Sequence, residues 1–269
     1  MPEGHTLHRL ARQQSALFAG RPVHVTSPQG RFAAGAALLD GRVLERATAH
    51  GKHLFGHFGG DVLHVHLGLY GTFTTGTGVP PAPKGALRMR WVADGPDGLG
   101  VWTDLRGATA CEVLTRPEVR GILDRLGPDP LRRGAVGAEA FRRIAGSRTP
   151  IGALLMDQSV LAGVGNVYRA ELLFRHRLSP FRPGRGVDGE LWARMWTDLV
   201  VLMRAGVKLG RIVTTEPEDR SRRRGPVAQE DAHYVYRRTG LPCRSCGTEI
   251  RTEVMAGRNL YWCPVCQAV

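Results

Sequence analysis

Near the far end of this 269-residue chain, Cys243-x2-Cys246 is followed by sixteen residues and then by Cys263-x2-Cys266. Each CxxC knuckle puts two sulfurs on one tight turn, and two knuckles at this separation supply four thiolates for tetrahedral zinc. The intervening GTEIRTEVMAGRNLYW has the length of a β-hairpin, with AGRN at its turn. Protein fills all four positions, so one zinc ion here is structural and has no open coordination position for chemistry. Disulfides are the rival reading, and a reducing cytoplasm argues against them. The fifth cysteine, Cys111 in TACEVL, has no partner at metal spacing and reads as a small core hydrophobe.

A cytoplasmic chain is expected on two grounds. No apolar run approaches the ~18–20 residues that span a bilayer, and no leader pattern of basic, apolar and small-residue regions opens the sequence. The length suffices for two domains with separate cores. The net charge of +13 and pI near 10.5 suggest a polyanionic partner, since each phosphate neutralised releases counterions. A solvated basic surface is the competing reading. Arginine supplies nearly all of that charge: there are 34, against lysines only at 52, 84 and 208. In such a chain each surviving lysine invites a reason.

The chain opens MPEGHTLHRL, and initiator Met1 before a small residue is normally trimmed. Pro2 would then carry a free secondary amine, with an ordinary pKa of roughly 7.7–8.0. From Leu7 through Leu10, Ala11, Leu17 and Phe18 the apolar spacing is helical, with Gly20 as the stop. From Val23 to about Leu114, short alternating runs broken by Gly, Pro and Asp read as a β-sandwich or barrel. RLGPDPLRRGAVG (125–137) looks like a linker, and helical patterns follow it. Pro150 suits the first position of a helix capped by Thr149, and Asn166 falls at the start of the next helix, after Gly163 and Gly165. That helix start is equally an ordinary cap or a phosphate site. The charged stretch 216–231 reads as a mobile loop. The expected fold class is therefore multidomain α+β: an N-terminal helix and β-sandwich over 1–124, a linker at 125–137, a helical domain over 138–232, and a zinc finger over 233–269.

PEG, GKHLF, HLGLYG, RLGPDPL, MDQSVLAGVGNVYRAELLF and GRNLYWCPVCQ occur in the order found in the formamidopyrimidine-DNA glycosylase/endonuclease VIII family. The chain resembles that family from residue 2 to about 267, most strongly in the helix–two-turn–helix segment and the zinc hairpin. It is more similar to the endonuclease VIII branch, since DLRGAT (104–109) lacks the phenylalanine of the other branch. The resemblance implies a bifunctional DNA glycosylase and abasic-site lyase acting on damaged duplex DNA, near the nucleoid; no membrane partner is expected, and a monomer is the default, since no surplus apolar stripe asks for a subunit partner. Oxidised pyrimidines are the expected lesions. Oxidised purines, or damaged-DNA binding without catalysis, are the alternatives.

By the same resemblance Pro2 is the nucleophile and Glu3 its proton donor and acceptor. Lys52 assists ring opening and β-elimination, a task suited to an ammonium that can lose its proton as guanidinium cannot. Lys84 and Lys208 match nothing in the family and read as surface charges. Leu69 is the wedge that fills the hole left by a flipped base, and Tyr70 its stacking neighbour. Arg125, Asn166 and Arg258 match phosphate-gripping positions, and Arg258 is also credited with δ-elimination. Two departures stand out: His5-Thr6 where the family commonly repeats Pro-Glu, and Gly68 where endonuclease VIII often has glutamine.

Overall fold

The computed structural model describes residues 2–95 and 98–268, arranged as two compact units divided between Arg125 and Leu126. Unit 1 opens with helix α1 (Gly4–Phe18), which starts earlier than Leu7 because Gly4 to Thr6 continue the same turn. Nine strands and two further helices follow it. The strands are β1 (Pro22–Thr26), β2 (Arg42–Val43), β3 (Arg46–His50), β4 (His53–Phe58), β5 (Asp61–His66), β6 (Thr72–Thr77), β7 (Leu87–Asp94), β8 (Gly100–Arg106) and β9 (Ala110–Thr115). Helix α2 (Ala33–Leu39) lies between β1 and β2, and α3 (Arg116–Leu123) follows β9.

These strands form two antiparallel sheets, ordered β2-β1-β7-β8-β6 and β3-β4-β5-β9. Alternation dictates the faces: in β1 only Val23 and Val25 are buried, the period-2 signature of a half-buried strand. The sheets meet across Trp91, whose ring takes Phe18 of α1 edge-on at 5.6 Å and Phe58 of β4 at 5.7 Å. Cys111 lies in this core, as its isolation in the sequence suggests.

Helix α1 packs on β3 and β4, and a polar clasp sets its register. Ser15 donates its hydroxyl to Ala47 O at 3.1 Å and accepts from Ala47 N–H at 2.7 Å. Just past the helix, Gly20 N–H donates to Leu44 O.

Unit 2 is built from α4 (Gly137–Ala145), α5 (Ile151–Leu154), α6 (Asn166–Arg175) and α7 (Gly189–Leu209), followed by the hairpin β10 (Arg251–Met255) and β11 (Arg258–Trp262). One core joins the helices to the root of the hairpin, Leu155, Tyr168, Met203, Tyr261 and Cys263 among them. Two local expectations are corrected here. Pro150 precedes its helix instead of opening it, and Thr149 does not cap it with its side chain. The cause is tertiary: Ile151 N–H donates to Arg182 O and Gly184 N–H to Thr149 O, which hold the chain extended through Pro150. The start of the 125–137 segment is knitted into unit 2, because Gly127 N–H donates to Gln158 O and Ala162 N–H to Pro128 O. Within 216–231, Pro217–Asp219 form a 3-10 turn, Tyr234 donates its hydroxyl to Asp219, and Ser221 N–H donates to Asp231.

Candidate nucleic-acid interface and zinc centre

In unit 1, Pro2 and Glu3 lead into α1, which packs on β3 and β4, and Lys52 sits in the β3–β4 turn with Gly51. Glu3 is fully buried and is the N-cap residue, though its carboxylate does not cap the helix. Met1, whose removal the sequence reading requires, lies outside the described residues.

Beside Lys52 runs a row of imidazoles that no sequence motif announced. Pairing sets His53 opposite His66, Phe55 opposite His64, and His64 opposite Glu112, so these side chains share one face. His64 Nδ1 lies 2.9 Å from Glu112 Oε1, and its Nε2 lies 2.8 Å from His53 Nδ1. The three side chains thus form one hydrogen-bonded line, Glu112–His64–His53. Burial, reinforced by His64, His66, His50 and Arg125, pushes His53 down to about 3. His66 is lowered by burial, by His64 and by the charge of Lys52, which puts Lys52 close to this row. Arg125 thus faces the same row. His5, buried in the first turn of α1, is pushed down to about 4 mainly by burial.

The loop after His66 carries Leu69 and Tyr70 outward, at 42% and 84% exposure. Such exposure of two large apolar side chains at a tight turn is unusual and suits an intercalating wedge. Gly71 N–H closes the turn on Leu67 O at 2.9 Å. Gly68 has φ of +65°, and a Cβ there would meet Thr109 Oγ1 at 1.9 Å. The departure at 68 is therefore imposed by packing against Thr109, in the same stretch that departs at DLRGAT.

In unit 2, Asn166 and Arg258 are brought together through the hairpin. Asn166 opens α6 and is nearly buried, and its Nδ2 donates to Asn259 O at 2.8 Å. Its Oδ1 accepts from the fully buried Arg169. The amide is thus turned inward onto protein. Arg258 follows the two-residue turn Ala256–Gly257, both with positive φ as a type I′ turn demands. It is exposed and lines a cavity of about 440 Å³ with Thr149, Ala153, Met156 and Asp157.

Sequence reasoning missed Arg169 and Glu171. Buried Glu171 accepts from the backbone N–H groups of Tyr234, Val235 and Tyr236 and from the Thr214 hydroxyl, fixing the approach to the zinc knuckles. The available signal was two charges inside the apolar run NVYRAELLF.

The sulfurs of Cys243, Cys246, Cys263 and Cys266 all lie within 4.8 Å of one another, with 3.9 Å from Cys243 to Cys266 and 3.4 Å from Cys246 to Cys263. A tetrahedron with Zn–S bonds of about 2.3 Å has edges of about 3.8 Å, so the donor set fits zinc. Bound zinc would neutralise the thiolates and tie the two knuckles to the hairpin.

The architecture defines the class: a helix-led β-sandwich unit, then a helical unit closed by a four-thiolate hairpin. Three family models match in that order: the formamidopyrimidine-DNA glycosylase N-terminal domain over 1–111, its H2TH domain over 126–218, and a zinc finger found in FPG and IleRS over 240–269. The chain is 56% identical to a Mycobacterium tuberculosis protein named Endonuclease 8 1, covering 99% of this chain and all of that one. It is 37% identical to the formamidopyrimidine-DNA glycosylase of Thermus thermophilus over 86% of this chain and 85% of the relative. The crystal structure of the Thermus thermophilus MutM (Fpg) protein superposes with a TM-score of 0.70 at 32% identity, covering 99% and 98% of the two chains. A Lactococcus lactis formamidopyrimidine-DNA glycosylase bound to abasic-site DNA shares the fold, with a TM-score of 0.80 at 20% identity over 99% of this chain and all of that one. This chain belongs to the formamidopyrimidine-DNA glycosylase/endonuclease VIII family of DNA repair enzymes.

Proposed function

We propose that the protein is a bifunctional DNA glycosylase and abasic-site lyase that removes oxidised bases, pyrimidines foremost, from duplex DNA and cuts the strand by β,δ-elimination. What supports this reading is Lys52 beside the imidazole row, at the root of the exposed Leu69–Tyr70 loop, with Pro2 and Glu3 leading into the helix that packs on β3 and β4.

With Met1 removed, Pro2 has the N–H that no internal proline has. The positive end of α1 disfavours an ammonium there and keeps the amine nucleophilic. Its nitrogen attacks C1′, the glycosidic bond breaks, and the base leaves with the electron pair and a proton. Glu3 protonates the ring oxygen as the sugar opens, and the nitrogen sheds its own proton to become an iminium. Loss of a C2′ proton, assisted by Lys52, expels the 3′ phosphate. A second elimination, with Arg258 on the flanking phosphate, expels the other. Leu69 and Tyr70 fill the gap in the stack, Arg125 belongs to the phosphate grip, and Asn166, whose amide is held on protein, joins that grip through the backbone N–H groups at the start of α6. One structural zinc ion per chain, action as a monomer and residence with the bacterial nucleoid complete the reading, supported by the charge of +13.

Borohydride should trap a covalent adduct on abasic-site duplex, and a fused N-terminal tag that cannot be cleaved should abolish it. Equal adduct from the tagged protein would eliminate Pro2 as nucleophile, and no adduct from the untagged protein would leave a damage-binding protein without catalysis. A panel of single-lesion duplexes decides between pyrimidines and the oxidised purines suggested by the relatives named formamidopyrimidine-DNA glycosylase.

A further inference from the structure

Arg169 is fully buried in α6, yet its guanidinium bonds to neutral oxygens in four places. Nη1 donates to Met255 O at 3.0 Å and reaches Gly152 O at 3.5 Å. Nη2 donates to Asn166 Oδ1 and reaches Asn259 O at 3.4 Å. Met255 ends one hairpin strand and pairs with Arg258, and Asn259 follows Arg258 on the other. One planar group therefore holds the backbone on both sides of Arg258 and orients the amide of Asn166. The same clamp reaches α5, where a Cβ on Gly152 would come within 2.9 Å of Met255 Sδ.

We propose that Arg169 is a positioning residue that sets Arg258 and Asn166 in fixed register for the phosphates of the strand being cut. This rests on the assignment of Arg258 and Asn166 to phosphate contact made above. Burying a guanidinium is a costly way merely to fasten a hairpin to a helix, because apolar packing of similar volume does so without desolvating a charge. What the guanidinium adds is direction. Its donors radiate in a rigid plane, so meeting oxygens on both strands fixes the tilt of the turn as well as its distance. An ammonium on a flexible stem radiates donors from one point and cannot span both strands and the amide together. Because Asn166 Oδ1 must accept from Arg169, its Nδ2 is committed to Asn259 O, so the amide cannot flip without breaking two bonds at once.

The test uses full-length zinc-loaded protein and a duplex with one abasic site. For Arg169→Lys, the share of β,δ-product over β-product should fall, and KM should rise, by about 10-fold or more, as a misplacement near 1 Å implies. Borohydride trapping at saturating duplex and zinc content should stay as in wild type, since the clamp does not touch Pro2. Arg169→Gln, planar but shorter, should show a smaller loss and serves if the lysine variant sheds zinc. Arg258→Ala should reproduce the product shift, and adding Arg169→Lys to it should change the product ratio no further. A wild-type ratio and KM in both Arg169 variants, with Arg258→Ala defective, overturns the proposal alone, as does a multiplied product defect in the double variant. A wild-type ratio in Arg258→Ala overturns the Arg258 assignment itself, and the positioning role with it.

Discussion

Thr109 stands so close to Gly68 that its Oγ1 would be 1.9 Å from any Cβ at that position. The exposed Leu69–Tyr70 loop is thus shaped by a residue on the approach to β9, far away in sequence.

Gly68→Gln should therefore be costly, although glutamine is common there among endonuclease VIII proteins. A left-handed φ costs a side chain about 1–2 kcal/mol, and the contact with Thr109 adds to it. Urea unfolding should show a loss of about 2 kcal/mol, with base release impaired further because Leu69 and Tyr70 move. A variant of wild-type stability would show that the loop adapts freely.

The ion pair of Arg90 and Asp104 should prove the most sensitive polar contact in the β-sandwich. Arg90 Nε and Nη2 lie 2.7 and 2.9 Å from the two carboxylate oxygens, with both side chains buried. Asp104→Asn leaves a buried cation without its countercharge and should cost about 3–5 kcal/mol. Arg106→Ala, which removes the more exposed second partner of the same carboxylate, should cost about 1 kcal/mol or less. Equal losses in urea unfolding would contradict this ranking.

How much of this was legible beforehand depended on whether the information was local. The zinc centre could be read directly, because two turns and a hairpin write their spacing into consecutive residues. Lys52 stood out because lysine is scarce here. Arg169 did not, being one of 34 arginines, and only its place in an apolar helix marked it. The imidazole row was hidden for another reason. His53, His64, His66 and Glu112 become neighbours only once strand register is known. Thr149 and Pro150 misled because a neighbouring segment, not local preference, holds that stretch extended.

Stability should fall with acid before most carboxylates titrate. His5 and His53 lie well below the ordinary histidine value of 6.5 because burial disfavours their charged forms. Above about 6.5 they are neutral whether folded or unfolded, and their contribution is fully present. Between about 6.5 and 4 the unfolded chain binds protons that the folded chain refuses, so stability drops by up to about 1.4 kcal/mol per pH unit for each. Urea midpoints at pH 7.5, 6 and 5 should decline steadily, and His5→Phe should flatten the decline. A midpoint constant from pH 7.5 to 5 would show both imidazoles to be solvated.

Removing the metal should weaken DNA binding without destroying unit 1. Chelation frees four thiolates and releases the hairpin that presents Arg258. Losing one charge-assisted phosphate contact of about 1.5–3 kcal/mol weakens affinity for abasic duplex by about 10-fold or more. The near-ultraviolet signal of Trp91 should persist. Unchanged affinity after verified loss of zinc would detach the hairpin from DNA binding.

The clasp of Ser15 on Ala47 has a bearing on enzymes built this way that reaches past its two hydrogen bonds. One hydroxyl both gives and receives a bond with a single residue of the strand, so sliding α1 by one position would break both together, and the helix has no neighbouring resting place on the sheet.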